Sequence, residues 1–228
     1  MLFVVTDAYR PAPQSAVHAF CHVLPNLWHQ MSVMLSAASC LQWFCRLTGT
    51  TEVALLAEIA ELSEEDKANA PFFLPLSLRG NEPRITILTR AASSGGMTHA
   101  SLRAQLGYAV LEGVSFGIND GLQALKESGT PIAQCSLVGG GARSPFWAQL
   151  LADILAMPVV THKGGETGGA LGAARLACLA AGKPIAAVCE KPEVWQTWRA
   201  DPIPPPHLMQ RYAQFKALYL NDLHYRQH

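Results

Sequence analysis

An α/β fold is predicted for this chain, and three observations predict it. The run Leu137-Val138-Gly139-Gly140-Gly141-Ala142-Arg143-Ser144-Pro145 reads as a buried strand, a glycine turn and the start of a helix. A second glycine turn, Gly164-Gly165-Glu166-Thr167-Gly168-Gly169, opens the next helix in the same way. Around both turns, short apolar runs alternate with helical periodicity, which is the pattern of layered helices and sheets.

The elements follow in order. Phe3–Thr6 is a strand, and Ala16–Leu24 and Trp28–Met34 are β-like runs that form a hairpin about Pro25-Asn26. Ser39–Thr48 is a helix closed by Gly49, Glu52–Leu62 is a second, acidic helix, and Phe72–Leu76 is a strand. The long helix runs from Ser101 to Ser128, with Leu102, Leu106, Val110, Val114, Ile118, Leu122 and Leu125 at spacings of three and four. Gly129 and Pro131 close it. Ile132–Val138 is a strand, and Pro145–Ala156 is a helix with Ser144 as its cap and Pro145 at its first position. Val159–Thr161 is a strand, and Gly168–Ala181 is a helix ended by Gly182-Lys183-Pro184. Pro202–Pro206 leads into a last helix with Tyr212, Phe215, Tyr219 and Leu223 on one face. There is no internal repeat.

Composition narrows the function. The chain has 228 residues, half of them hydrophobic, which suffices for one large domain or two small ones. A formal net charge of zero gives no reason to expect nucleic acid or an acidic membrane as partner. No apolar run reaches membrane-spanning length, and Met1–Val5 is too short for a signal peptide. The six cysteines are scattered through apolar patterns, which reads as reduced, buried thiols in a cytoplasmic protein.

The glycine turns carry the chemistry. Three glycines where strand meets helix let the backbone approach a flat or charged ligand without Cβ collisions. The free N–H groups of the following helix favour an electron-rich partner. Two such turns within one βαβα length predict a nucleotide site. Trp147 and Gln149 either pack that site or serve as core filling and a solvent-facing polar group. Glu112 and Arg143 are the further charged candidates, each equally readable as a partner in a surface salt bridge. Asp153 lies two turns down a helix and reads as structural rather than as a base.

Several motifs together carry a family resemblance. Ser15-Ala16-Val17-His18, the run from Met31 to Leu41, Ala109-Val110-Leu111-Glu112-Gly113-Val114, Gly139 to Ser144, and the run from Gly169 to Leu176 appear in an ordered series. In these the chain resembles the C-terminal half of the FGGY carbohydrate kinases, the xylulokinases among them, over nearly its whole length. The resemblance implies an actin-like, ribonuclease H-like ATPase domain spanning 1–228, from an enzyme that binds ATP and sugar between two domains. It implies a nucleotide site at Gly139, Gly140, Gly141, Ala142, Arg143 and Pro145, with Gly164 and Gly165 nearby. It implies ATP with Mg²⁺ as phosphate donor and D-xylulose as acceptor in the intact enzyme. The family's catalytic aspartate and its phosphate loops have no counterpart in this sequence, so the chain alone is expected to be inactive. The faces of the long helix and of the Phe3 strand would then lie open and favour dimerisation. The alternatives are a kinase for glycerol, gluconate or ribulose, or a non-catalytic remnant or interaction module. Nucleotide binding separates a working module from a remnant.

One segment departs from the family. Where a Ser-Gly-Glu-Arg-x-Pro loop is expected, the chain runs from Asn81 through Ile85, Ile87 and Leu88 to Gly96. One back-translation of this stretch, read out of phase, gives ERTPHNDPDARGVFWG, which is what the family places there. Residues 81–96 therefore read as a segment between two compensating frameshifts, with a divergent surface loop as the other reading. Sequencing the gene across codons 75 to 100 checks this. The frameshift reading expects that relatives' genes keep the other frame there, and homologues sharing the present frame on both sides would remove it.

Overall fold

The computed structural model describes residues 1–34, 36–76, 84–87 and 97–227. The elements begin with β1 (Leu2–Thr6), β2 (Val17–Cys21) and β3 (Trp28–Ser32). Helices α1 (Ala38–Thr48), α2 (Glu52–Ala60) and α3 (Glu64–Ala68) come next, followed by β4 (Phe73–Leu76), β5 (Arg84–Ile87) and α4 (Arg103–Glu127). Then come β6 (Cys135–Ser136), α5 (Pro145–Leu155), β7 (Val159–His162) and α6 (Gly169–Ala180). Helix α7 (Ile185–Val188), β8 (Val194–Trp198) and α8 (Pro206–Gln227) complete the chain. These fall into two compact units, Met1–Ile132 with Pro202–His228, and Ala133–Asp201.

The first unit is built around α4. Strands β1, β3 and β2 form an antiparallel sheet in that order, with Phe20 opposite His29 across the predicted hairpin. Asn26 takes the left-handed conformation at the turn, with φ 61°, a backbone region that asparagine tolerates better than most residues. Alternation along β1 leaves Phe3 60% exposed. The long helix is covered. Its residues from Gly107 to Phe116, with Asn119, Leu122 and Leu125, are buried against α1, α2, β3 and β4 of the same unit. The expectation of an open apolar face on this helix is thus corrected, because the chain's own elements cover it. At Gly113 an added Cβ would stand 2.1 Å from the Phe73 carbonyl oxygen, so only glycine lets α4 lie this close to β4.

A polar cluster sits inside this core. Arg211 of α8 is 3% exposed and Glu112 of α4 is 1% exposed. Arg211 Nε and Nη2 donate to the two Glu112 oxygens at 2.8 and 2.6 Å. Nη1 donates to the carbonyls of Ala68 and Ala70, and Nη2 also to that of Pro71. All five guanidinium N–H groups are therefore used. The guanidinium also lies 4.3 Å from the Phe72 ring centroid, and the Tyr108 hydroxyl donates to Glu112 at 3.2 Å. Burial raises the Glu112 carboxyl, and Arg211 and Tyr108 draw it back. Glu112 is thus the anchor of a buried pair and not a surface salt-bridge partner.

Other departures are local. The predicted strand over 132–138 is reduced to β6, extended by one bond from the Leu137 N–H to the Val160 carbonyl. Helix α2 stops at Ala60, and α3 follows it, nucleated by a capping box between Ser63 and Asp66 that the sequence reading passed over. Of the six cysteines only Cys40 and Cys45 are buried, while Cys21 and Cys189 are exposed. Burial pushes Cys40 up to about 11. Strand β5 pairs antiparallel with β4. The rest of the divergent segment, 81–83 and 88–96, lies outside the described residues. Among the described residues no helix is long and apolar enough to cross a membrane.

Truncating one partner of the buried pair strands a charge. Arg211→Ala is expected to cost about 3–5 kcal/mol in urea unfolding. Adding Glu112→Gln is expected to restore part of that loss, and simple additivity of the two costs would contradict the pairing.

Candidate functional site

The second unit places both glycine turns at one end of a small sheet. Strands β6 and β7 are parallel, and β8 is antiparallel to β7. Each parallel strand runs out at its carboxyl end into a glycine turn, the position where open α/β sheets bind ligands. The first turn opens at Gly139, whose φ of 82° and ψ of −165° are open essentially to glycine alone. A single 3-10 turn over Gly140–Arg143 then delivers the chain to α5. The Ser144 hydroxyl caps that helix by accepting from the Trp147 N–H at 3.1 Å, with Pro145 in its first turn, as the sequence predicts.

The second turn is held by the first. The Gly139 N–H donates to the Gly165 carbonyl at 3.0 Å, joining segments 26 positions apart in sequence. Gly164 has φ 70°, and the Thr167 N–H and hydroxyl both donate to its carbonyl. Beyond Gly168 the chain enters α6, which has no buried residue, and Leu171 and Leu176 are exposed on it.

Between the turns lies a cleft of about 320 Å³, lined by Ala142, Arg143, Thr161, His162, Lys163, Gly164, Glu166 and Trp195. Of the residues that the sequence singles out, Ala142, Arg143 and Gly164 line it directly. Gly139 and Gly165 form the bond behind it, and Gly140, Gly141 and Pro145 belong to the turn and helix start without lining it. Trp147 is buried beneath the first turn, where a Cβ on Gly141 would touch its ring at 3.4 Å. Gln149 is half-buried. Its amide donates to Asp153 at 2.9 Å and to the Arg199 carbonyl at 2.8 Å. Asp153 also accepts from the Asp201 N–H, so it ties α5 to the chain leaving β8, a structural role.

Thr161, His162, Lys163, Glu166 and Trp195 are the lining residues that the sequence reading missed. Its β7 stopped at Thr161, and it assigned no strand where β8 lies, although Val194-Trp195-Gln196-Thr197-Trp198 has the β-branched and aromatic composition of one. His162 Nε2 lies 3.0 Å from the Ser136 hydroxyl, and its buried Nδ1 has no partner among the described residues. The cleft thus combines an aromatic ring, the cations Arg143 and Lys163, one carboxylate and an unsatisfied ring nitrogen. No group of three or more His, Cys, Asp or Glu among the described residues is placed to hold a metal ion. With Glu166 alone, the cleft suits a hydrated Mg²⁺ held mainly by phosphates rather than by a protein cage.

Removing the special backbone position tests the first turn. Gly139→Ala is expected to destabilise by about 1–3 kcal/mol. Gly140→Ala, whose Cβ would meet open space, is expected to change the urea midpoint little. Equal effects would contradict the geometry.

Comparisons with known proteins identify the family. Residues 2–181 match the C-terminal domain of the FGGY family of carbohydrate kinases. The chain is 39% identical over 216 residues to a xylulose kinase of Escherichia coli K12, covering 94% of this chain and 43% of that enzyme. It is 40% identical over 178 residues to a xylulose kinase of Klebsiella pneumoniae, covering 78% of this chain and 36% of that one. The crystal structure of a Brucella ovis enzyme described as a xyloylose kinase superposes with a TM-score of 0.79 at 37% identity, over 97% of this chain and 45% of that one. The chain therefore spans less than half the length of the relatives it matches. Its fold is that of the actin-like ATPases, and the chain belongs to the FGGY family of carbohydrate kinases, whose C-terminal domain it matches.

Proposed function

We propose that residues 1–228 are the C-terminal, nucleotide-binding domain of a xylulose kinase, working in the cytoplasm. In the intact protein ATP would phosphorylate D-xylulose to D-xylulose 5-phosphate. The observation that carries this reading is the bond from Gly139 to Gly165, which sets two glycine turns side by side at the carboxyl ends of β6 and β7. Its support is the identity of 39% and 40% to two xylulose kinases, over 94% and 78% of the chain.

Each residue then has a defined task. The turn backbones present N–H groups without side-chain obstruction. Arg143 and Lys163 offset phosphate charge at the cleft wall. Glu166, the carboxylate of the cleft lining, would help hold the hydrated Mg²⁺ that accompanies the phosphates, an ion that would neutralise their charge during transfer. The base that takes the sugar hydroxyl proton and the groups that hold the sugar belong to the part of the relatives beyond this match. Nucleotide binding is thus the part of the reaction assigned to these residues.

A thermal-unfolding titration with ADP tests this. At about 100 times its dissociation constant, a ligand that binds only the folded state adds about 2.7 kcal/mol. A saturable rise in midpoint is expected for the wild-type chain. Ala142→Glu places bulk and negative charge on the cleft wall and is expected to abolish the rise. No rise in the wild type, from a chain that unfolds cooperatively, would overturn the reading.

A further inference from the structure

We propose that Trp195 is the base-stacking residue of this cleft, the side chain against which the aromatic base of the nucleotide lies. The inference rests on the nucleotide reading and adds a specificity contact to it, outside both glycine turns.

Its first ground is the strand geometry. Along β7 and β8 the paired residues are Val159 with Trp198, Val160 with Thr197, Thr161 with Gln196, and His162 with Val194. Trp195 has no opposite residue. It is the extra residue of a β-bulge, and a bulge breaks the strict alternation of a strand and re-aims one side chain. Because β8 is antiparallel to β7, this bulge falls at the carboxyl end of β7, the end that carries the second glycine turn. The re-aimed indole lines the cleft.

The second ground is exposure. Trp195 is 68% exposed, whereas Trp198 on the same strand has its indole nitrogen fully buried. A large aromatic left open beside polar lining contributes little to folding, yet it offers a flat, polarisable face to a planar ligand. The third ground is how the bulge is held. The Lys163 N–H donates to the Glu193 carbonyl at 3.1 Å, and the Lys163 ammonium pairs with the Glu193 carboxylate at 2.7 Å. This double clasp closes the β7–β8 end just before the bulge. It leaves the ammonium 6.0 Å from the Trp195 ring centroid, at the outer limit of a cation–π contact. An aromatic face beside Arg143 and Lys163 matches a ligand that is flat and aromatic at one end and anionic at the other.

The test uses the full chain, with ADP as probe and isothermal titration and tryptophan emission as readouts. Aromatic–base stacking predicts that W195A weakens ADP about tenfold, with the unliganded melting curve unchanged because the side chain is exposed. W195F keeps a stacking face and is expected to bind within about threefold of wild type. The ADP-dependent change in emission is expected to be lost in W195F although ADP still binds. Wild-type affinity in W195A, or the full emission change in W195F, would overturn the role of Trp195 and leave the nucleotide reading standing. A wild-type chain that binds no ADP would overturn both.

Discussion

The contact on which the first unit depends is the buried pairing of Arg211 with Glu112. It joins positions 99 residues apart and draws the carbonyls of Ala68, Ala70 and Pro71 onto the same guanidinium. Without it, the buried Glu112 carboxylate would keep only the Tyr108 hydroxyl, and the Ala68, Ala70 and Pro71 carbonyls would lose this donor, a costly situation for buried polar groups. The pair therefore decides more than the position of α8. It sets the path of the chain into β4, and β4 in turn meets α4 at the close approach that Gly113 permits. Around it the apolar contacts fill in, with Phe116 between Tyr212 and Phe215 at ring distances of 5.2 and 5.3 Å.

The second unit rests on backbone geometry more than on side-chain burial. Its two glycine turns are linked main chain to main chain, and its cleft wall is completed by a strand irregularity at Trp195. Apart from the buried Thr161, the side chains that line the cleft are accordingly exposed or half-buried, while Trp147 and Leu151 of α5 supply the packing below. This division of labour separates stability from ligand contact. Arg143, Lys163 and Trp195 can be altered without opening the core, whereas Gly139 cannot be altered without straining the backbone.

How much of this was legible depended on whether the signal was local. Ser144 and Pro145 announced the start of α5, and the apolar spacing from Leu106 to Leu125 announced α4, because capping and periodicity are properties of consecutive residues. The glycine turns were legible for the same reason, and they led to three of the eight cleft-lining residues. Thr161, His162, Lys163 and Glu166 adjoin or belong to the second turn, but which of them face the cleft depends on how that turn packs on the first, and Trp195 reaches it only when β8 folds back on β7. Asp153 reads as structural from the sequence and is so, while Glu112, a charged candidate or a surface salt-bridge partner by sequence, is the buried partner of Arg211. Nothing near Glu112 in sequence announces Arg211, and a carboxylate inside an apolar helix gives no sign of its partner.

By itself, then, the sequence determined the α/β class, the order of the main helices and strands, the two glycine turns and the family. All of these are written in local periodicity, turn chemistry and ordered motifs. Only the tertiary structure decided that the long helix is covered by its own chain, that Glu112 and Arg211 meet, and that Trp195 turns toward the cleft. Those outcomes rest on contacts between residues far apart in sequence, whose energies depend on burial and register that no local window contains.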